Sequence, residues 1–149
     1  MTESETLQEH LRQLFRTQQL GVLASQNAGQ PHASLVAFAA AADLQRLVFA
    51  TPRATRKYAN LKADPRVALL VDNRANRDAD LHKAMAVTAY GRVLELSGAE
   101  RDTHLELYLG KHPHLLEFVT APSCALMAIV VQTYSVVDRF QRVTELAMA

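Results

Sequence analysis

The chain has 149 residues, of which 49% are hydrophobic and 21% charged, so it has the size and composition of one globular domain with a real core. Its formal net charge of +1 argues against nucleic acid as a partner, because such domains neutralise many backbone phosphates. The N-terminus is polar, and the longest wholly apolar run, Cys124 to Val131, has eight residues. We therefore expect neither a signal peptide nor a membrane span, and a cytoplasmic location.

An amphipathic helix is predicted at the start of the chain. Thr2 and Glu5 have the spacing of a capping box, and leucines at helical intervals continue the pattern to about Gln19. We expect this helix to cover one end of a sheet. Three strands follow, over residues 20–25, 31–40 and 44–50, separated by turns at 27–30 and near Asp43.

After a basic helix that ends at Asp64, before Pro65, the second half of the chain alternates strands with helices. Its elements, in order, are a strand over 66–72, a polar loop over 73–80, a long strand over 84–96, a helix over 97–110 and a last strand from 124 to about 137. Gly91 interrupts the long strand and predicts a bulge or bend. Ser97 and Glu100 have capping-box spacing at the start of the later helix.

The predicted elements indicate a mainly β fold with peripheral α-helices. Six strands with short early connections do not give the regular βαβ alternation of a parallel doubly wound fold. A mostly antiparallel six-stranded barrel fits better, in a single domain over residues 1–149. Because several strands are apolar on both faces, we expect one side of the barrel to be covered by a second copy of the chain in a twofold homodimer.

The segment between the third strand and the basic helix combines hydroxyl groups with three cations, Arg53, Arg56 and Lys57. Thr51 followed by Pro52 predicts an N-cap and a first helical residue, which leaves free backbone N–H groups at the helix start. Those amides, the helix dipole and the two later cations would attract a dianionic phosphate. The segment is therefore a candidate phosphate site.

An alternative interpretation makes the same cations, with Lys62, the solvated face of a short helix whose apolar side is Tyr58 and Leu61. The segment has none of the glycine spacing of a P-loop or a Rossmann turn, both of which cradle phosphate with bare backbone. Considered by itself, the segment leaves both interpretations open.

Candidates for metal or nucleophile chemistry are few. Cys124, the single cysteine, opens an apolar run and is interpreted as a small buried hydrophobe. His112 and His114 flank Pro113 with a spacing that a metal pair could use, but no carboxylate or cysteine cluster stands near them, so no metal site is predicted. His32 is expected at an exposed strand edge, with an approach to a ligand as the alternative.

Six short motifs follow one another along most of the chain. They are LGVLAS at 20–25, GQPHASLV at 29–36, LVFAT at 47–51, TRKYANL at 55–61, DPRVALLV at 64–71 and VTAYGRV at 87–93. In order and spacing this set resembles the pyridoxamine 5′-phosphate oxidase-like, FMN-binding split-barrel superfamily, over roughly residues 5 to 140.

The resemblance implies a six-stranded split barrel that forms a homodimer with two FMN sites at the subunit interface. It implies that Arg56, Lys57, Thr55 and Thr51 hold the flavin phosphate. The remaining residues that it assigns to the flavin are the backbone around Ser34, Leu35 and Val36 and around Phe49 and Ala50, with Asn73 and Arg74 reaching the ring or the phosphate from either subunit. Phe38 and Tyr90 are candidate stacking surfaces for a substrate.

Two departures from the founding enzyme of the family bear on activity. Met85 and Ala86 stand where the oxidase has an Arg-Gln pair, and the segment 138–143 lacks the Arg-Leu-x-Pro type of ending that recognises pyridoxal phosphate. We therefore do not expect vitamin B6 oxidation. The first expectation is an FMN-dependent oxidoreductase acting on a small organic substrate, with the deazaflavin F420 as a replacement cofactor. The alternative is a non-enzymatic flavin carrier or a haem-binding relative, with His112 or His114 as the axial ligand.

Overall fold

A computed structural model describes residues 1–139 and 141–148 of the chain. Within these residues, seven strands and five helices are joined by short connections, with a 3₁₀ turn at Pro113–Leu115. The strands are β1 (Leu20–Asn27), β2 (Gln30–Ala40), β3 (Arg46–Pro52), β4 (Arg66–Asp72), β5 (Ala86–Glu95), β6 (Cys124–Asp138) and β7 (Arg142–Ala147). The helices are α1 (Glu3–Thr17), α2 (Arg56–Ala63), α3 (Asp80–Lys83), α4 (Gly98–Lys111) and α5 (Leu116–Thr120).

Six of the strands close into an antiparallel barrel, as the sequence predicts. They are hydrogen-bonded in the order β3-β2-β1-β4-β5-β6, and β3 also pairs with β6, which closes the ring. The seventh strand, β7, extends the sheet beyond β6 and was not predicted. Its side chains alternate between exposed and half-buried positions, so it carries no strong apolar pattern.

Apolar side chains form two cores, one inside the barrel and one outside it. The inner core gathers residues from all six barrel strands and from α1, including Leu11, Phe38 and Phe49. The outer core lies where Tyr108 of α4 and Val119 of α5 pack against the outer surface of β3 and β6. Within the described residues, α4 and α5 therefore cover the outer surface of β3, β6 and the end of β2, where Ala39 belongs to the outer core. The outer surface around Leu20, Leu35 and Tyr90 stays exposed, and we call it the helix-free face.

Two local predictions about the strands and the first helix are confirmed. The Thr2 hydroxyl accepts a hydrogen bond from the Glu5 amide at 3.1 Å, so Thr2 caps α1. The pairing of β5 with β6 shifts register between Tyr90 and Gly91, which is the predicted bulge. A Cβ atom added at Gly91 would lie 2.2 Å from the Val130 carbonyl oxygen, so the bulge needs a residue without a side chain.

One predicted boundary and one predicted capping bond are wrong, and one short helix was not predicted. Thr51 and Pro52 do not begin α2: they stay in β3, because β3 pairs with β6 as far as Pro52 and Cys124. The N-cap of α2 is Thr55. Ser97 makes no side-chain capping bond at the start of α4, and a short helix, α3, follows the predicted polar loop. None of the helices in the described part of the chain is both long and apolar enough to cross a lipid bilayer.

Candidate functional site

The barrel is split between β2 and β3. β2 pairs with β1 at eight positions, but with β3 at only three, from Phe38 opposite Phe49 to Ala40 opposite Leu47. β3 nevertheless continues to pair with β6 through Thr51 and Pro52. The facing edges of β2 and β3 therefore diverge beyond the Phe38–Phe49 pair, where backbone groups are free of the β2–β3 ladder. The predicted cofactor residues 34–36 and 49–51 lie on the two sides of this opening.

Ser34 carries an unsatisfied polar group at the opening. Its hydroxyl oxygen is buried and has no hydrogen-bond partner among the described residues. A buried hydroxyl without a partner destabilises a fold by about 1–3 kcal/mol, so such groups are uncommon and call for an explanation. A ligand in the split would supply the missing partner.

Two threonine hydroxyls join the end of β3 to the start of α2. The Thr55 hydroxyl accepts a hydrogen bond from the Tyr58 amide at 3.1 Å and donates one to the Pro52 carbonyl oxygen at 2.9 Å. It also lies 3.2 Å from the hydroxyl of Thr51, which is fully buried. The helix axis is thereby fixed relative to β3, and the amides of Arg56 and Lys57 form the first turn, where no carbonyl of the helix can accept them.

The three predicted cations divide into one that is paired and two that are not. Arg53 binds a Glu95 carboxylate oxygen at 2.7 Å and donates to the carbonyl oxygens of Pro122 and Cys124. The Arg53 guanidinium therefore already has protein partners, and it is not a candidate phosphate ligand. Over residues 1–139 and 141–148, Arg56 and Lys57 form no ion pair.

Lys57 is the less hydrated of the two free cations. Its side chain is half-buried, and burial lowers the pKa of its ammonium group. A positive charge that has lost water without gaining a counter-ion is unfavourable, and a bound anion would relieve that cost. The structure thus has free amides, a helix N-terminus and two free cations just after the end of β3, and an unsatisfied hydroxyl on the β2 side of the split.

Asn73 and Arg74 lie away from α2 in the same chain. β4 begins just after α2, and these residues follow its other end. The Asn73 side-chain oxygen accepts a hydrogen bond from the Met85 amide at 2.8 Å, and Arg74 pairs with Asp72 at 3.1 Å. Arg74 and Leu35 line an open pocket of about 400 Å³ on the helix-free face of the barrel. Within one chain, the predicted site residues therefore fall into two groups.

The two predicted stacking residues have opposite environments. Phe38 is fully buried in the inner core, so it cannot stack on a ligand, and that prediction is wrong. Tyr90 is 48% exposed on the helix-free face of the barrel.

The two segments that depart from the founding enzyme of the family are described in part. Met85 is partly buried and packs against the inner core. In the segment 138–143, Phe140 lies outside the described residues.

The histidine and cysteine side chains are mostly structural or exposed. His112 is buried, its Nε2 atom lies 2.7 Å from the Phe38 carbonyl oxygen, and burial lowers its pKa. To ligate haem through Nε2 it would have to break this contact, and its ring is buried in any case, whereas His114 is exposed. Cys124 is buried, as predicted. In the described part of the chain, no three His, Cys, Asp or Glu side chains cluster as metal ligands.

Glu95 is a site residue that the sequence interpretation missed. It lies at the end of β5 and binds both Arg53 and the Tyr58 hydroxyl, so it fixes the loop before α2 and the first turn of that helix. The only signal in the sequence is a carboxylate between two leucines in an otherwise apolar strand end, Leu94 to Leu96.

Solved structures share this fold at low sequence identity. A haem-binding protein from Mycobacterium smegmatis superposes with a TM-score of 0.84 and 18% identity, over 99% of this chain and 59% of its own. ChuZ from Campylobacter jejuni gives a TM-score of 0.80 and 12% identity, over 99% of this chain and 61% of its own. This chain thus spans about three fifths of the length of these two proteins.

A shorter protein also matches along nearly its whole length. An FAD-binding protein from Mesorhizobium loti superposes with a TM-score of 0.67 and 20% identity, over 86% of this chain and 90% of its own. No curated protein sequence matches the chain. The sequence model of the pyridoxamine 5′-phosphate oxidase family matches residues 7–138, and the chain therefore belongs to this family, whose members bind flavin.

Proposed function

We propose that the protein binds FMN and is a flavin-dependent oxidoreductase acting on a small organic substrate. The observation that carries the proposal is the pair of free cations, Arg56 and half-buried Lys57, at the capped start of α2, next to the split between β2 and β3. A helix N-terminus with two unpaired cations suits a phosphate dianion. The alternative interpretation, in which these cations only form the solvated face of a short helix, fits Arg56, which is exposed. It does not account for the burial of Lys57.

Different residues around the split would hold different parts of the cofactor. Arg56, Lys57 and the first amides of α2 would hold the phosphate, and Thr51 and Thr55 would keep that turn in place. The buried hydroxyl of Ser34 would gain its missing partner. The strand edges around Leu35 and Val36 and around Phe49 and Ala50 would line the rest of the flavin. Bound FMN supplies hydride or single-electron transfer, and the protein supplies its position and shielding from water.

A homodimer with flavin at the subunit interface is part of the same proposal. Apolar side chains stand exposed on the helix-free face of the barrel: Leu20 is 51% exposed, Leu35 is 66% exposed and Tyr90 is 48% exposed. A contiguous exposed apolar face of a sheet is typical of an interaction surface. A twofold partner would cover this face and would bring its own Arg74 to the interface. The cytoplasmic location expected from the sequence belongs to this proposal as well.

The proposal is tested by identifying the chromophore of the purified protein and then removing the two cations. A flavin absorption spectrum and release of FMN on heating are the expected results. Charge-assisted hydrogen bonds contribute about 1.5–3 kcal/mol each, so the double variant Arg56→Gln, Lys57→Met should bind FMN at least a hundredfold more weakly. Lys83→Met, which removes an exposed cation of α3 and no residue assigned to the flavin, is the matched control and should bind FMN normally.

Two other results would replace the proposal. A colourless protein that FMN does not reconstitute, but that binds F420, would assign the site to the deazaflavin. A haem spectrum that is lost in the His114→Ala variant would assign a haem-binding function. We rank haem second because His112 is buried and its Nε2 atom contacts the Phe38 carbonyl oxygen, which leaves exposed His114 as the accessible ligand of that pair.

A further inference from the structure

A cavity separate from the split lies at the carboxyl end of β2. It lies between α1, α4 and the turn that joins β2 to β3. Its volume is about 660 Å³, within the range of small-molecule sites. Four consecutive alanines, 39–42, form one wall with Leu44, and Phe15 of α1 and Leu107 of α4 form others. The short alanine side chains leave this volume unfilled, and none of the residues assigned to the flavin lines it.

Lys111 places a positive charge at this apolar cavity. Its ammonium group donates to the carbonyl oxygens of Phe15 at 2.6 Å and Gln18 at 2.7 Å, at the carboxyl end of α1. It also lies 3.8 Å from the centre of the Phe38 ring. An ammonium group has three donors, so one remains after these two hydrogen bonds. No carboxylate in the described part of the chain pairs with Lys111.

The other charged groups around the cavity leave a single positive charge. Arg12 donates to the Ala42 carbonyl oxygen at 2.8 Å and, with Arg16, pairs with Glu9. Glu106 lines the cavity from α4 and is exposed. The two carboxylates offset two of the three cations, which suits a monoanion better than a phosphate dianion. Burial lowers the pKa of Lys111 to about 8, so the group is still mostly charged at neutral pH.

We infer that this cavity is a binding site for a small carboxylic acid with an apolar body. The carboxylate would accept the remaining N–H of Lys111, and the hydrocarbon part would lie against the alanine wall, Phe15 and Leu107. This site is separate from the proposed flavin site and does not depend on it. The carboxylate of Glu106 would repel the bound carboxylate and weaken its binding. Removal of the Glu106 charge should therefore strengthen binding, whereas removal of the Lys111 charge should weaken it.

The test uses octanoate and octanol as matched probes, titrated by calorimetry into the purified protein in the state in which it is isolated. The wild type should bind octanoate about tenfold more tightly than octanol, because one charged hydrogen bond distinguishes the two. Lys111→Met keeps the apolar stem and should abolish this difference, whereas Glu106→Gln should strengthen octanoate binding. Lys83→Met, an exposed charge elsewhere, should change neither affinity.

A cavity-filling variant provides a test that leaves Lys111 and its contacts with α1 intact. A Cβ added at Gly110 meets nothing within 4 Å, and Gly110 lines the cavity, so Gly110→Leu should occupy part of it and weaken the binding of both probes. Circular dichroism checks that each variant is folded. The inference is overturned if the wild type does not bind octanoate, if octanol binds equally well, or if folded Gly110→Leu binds octanoate as the wild type does.

Discussion

The Tyr58 hydroxyl donates a hydrogen bond to Oε1 of Glu95 at 2.6 Å, and Arg53 binds the other oxygen of the same carboxylate at 2.7 Å. This contact joins the first turn of α2 to the end of β5, while Arg53 joins both to the turn before β6 through the Pro122 carbonyl oxygen. The amides and cations at the start of α2 therefore have a fixed position relative to the barrel. The phosphate site would depend on a carboxylate that does not itself contact phosphate.

Removal of this hydroxyl should loosen α2 without changing any charge. Tyr58→Phe should lower the free energy of unfolding by about 1 kcal/mol, because it breaks one hydrogen bond to a carboxylate at a half-buried position. It should also weaken FMN binding severalfold, since the turn that carries Arg56 and Lys57 is less well held. Urea unfolding and flavin titration measure the two effects. Tyr134→Phe, which loses a hydroxyl hydrogen bond to the Leu44 carbonyl oxygen away from α2, is the control; equal losses of FMN affinity in both variants would contradict the positioning role.

The same contact predicts how stability depends on pH. The Tyr58 hydrogen bond, followed by Arg53, lowers the pKa of Glu95 below its ordinary value of 4.5. A carboxylate with a lowered pKa stabilises the fold above that ordinary value and loses this effect as the pH falls through the folded-state pKa. The stability difference between the wild type and Tyr58→Phe should therefore be constant near pH 7 and shrink below about pH 4.5. A difference that grows on acidification would contradict this assignment.

Ser34 should affect the flavin-free and flavin-bound proteins in opposite directions. Ser34→Ala removes a buried hydroxyl that lacks a partner, so the flavin-free protein should gain up to about 1 kcal/mol of stability. If the hydroxyl contacts flavin, the same variant should bind FMN about tenfold more weakly. Thermal unfolding with and without FMN separates the two effects. Ser135→Ala, a half-buried serine in β6, serves as the control, and a loss of flavin-free stability in Ser34→Ala would show that the hydroxyl has a protein partner after all.

The barrel could be predicted from the sequence because its strands carry their own signals. Alternating or wholly apolar runs, bounded by Asn27–Gln30, Asp43 and Pro65, located all six barrel strands to within a few residues. Gly91 gave the bulge because only a residue without a Cβ fits beside the Val130 carbonyl. The resemblance to the family then implied the six-stranded split barrel, and the order of its strands came from the structure.

The start of α2 and the role of Glu95 could not be predicted in the same way. Thr51 and Thr55 are both good N-cap residues, and the choice between them is made by the pairing of Thr51 with Ala125, more than seventy residues further along. Glu95 and Arg53 likewise meet only because the closed barrel brings β5 next to the loop before α2. Local patterns do not contain these long-range contacts. The sequence indicated Arg56 and Lys57 as candidate phosphate ligands, but only the structure showed that Arg53 is paired with Glu95 and that these two cations are not paired within the described residues.

Two glycines offer a matched pair of substitutions with opposite expected signs. Gly91→Ala would force a Cβ to within 2.2 Å of a backbone oxygen that cannot move easily, so it should lower the free energy of unfolding by about 3 kcal/mol. Gly110→Ala adds a methyl group in open space within α4 and should raise it by about 1 kcal/mol through helix propensity. Urea unfolding measures both. A stable Gly91→Ala protein would mean that the β5–β6 bulge can relax.

The helix-free face of the barrel should prove to be the dimer interface. Light scattering after size-exclusion chromatography should give the wild type a mass of about twice 16.5 kDa. Leu35 is 66% exposed at the middle of this face, so Leu35→Glu should give the monomer mass and release flavin together with the partner subunit. Leu116→Glu is the matched control, because Leu116 is 52% exposed on α5 at the helix-covered side. A monomeric wild type that retains FMN would exclude the interface and leave the cofactor held by one chain alone. A dimer that survives Leu35→Glu but not Leu116→Glu would place the interface at α5 instead.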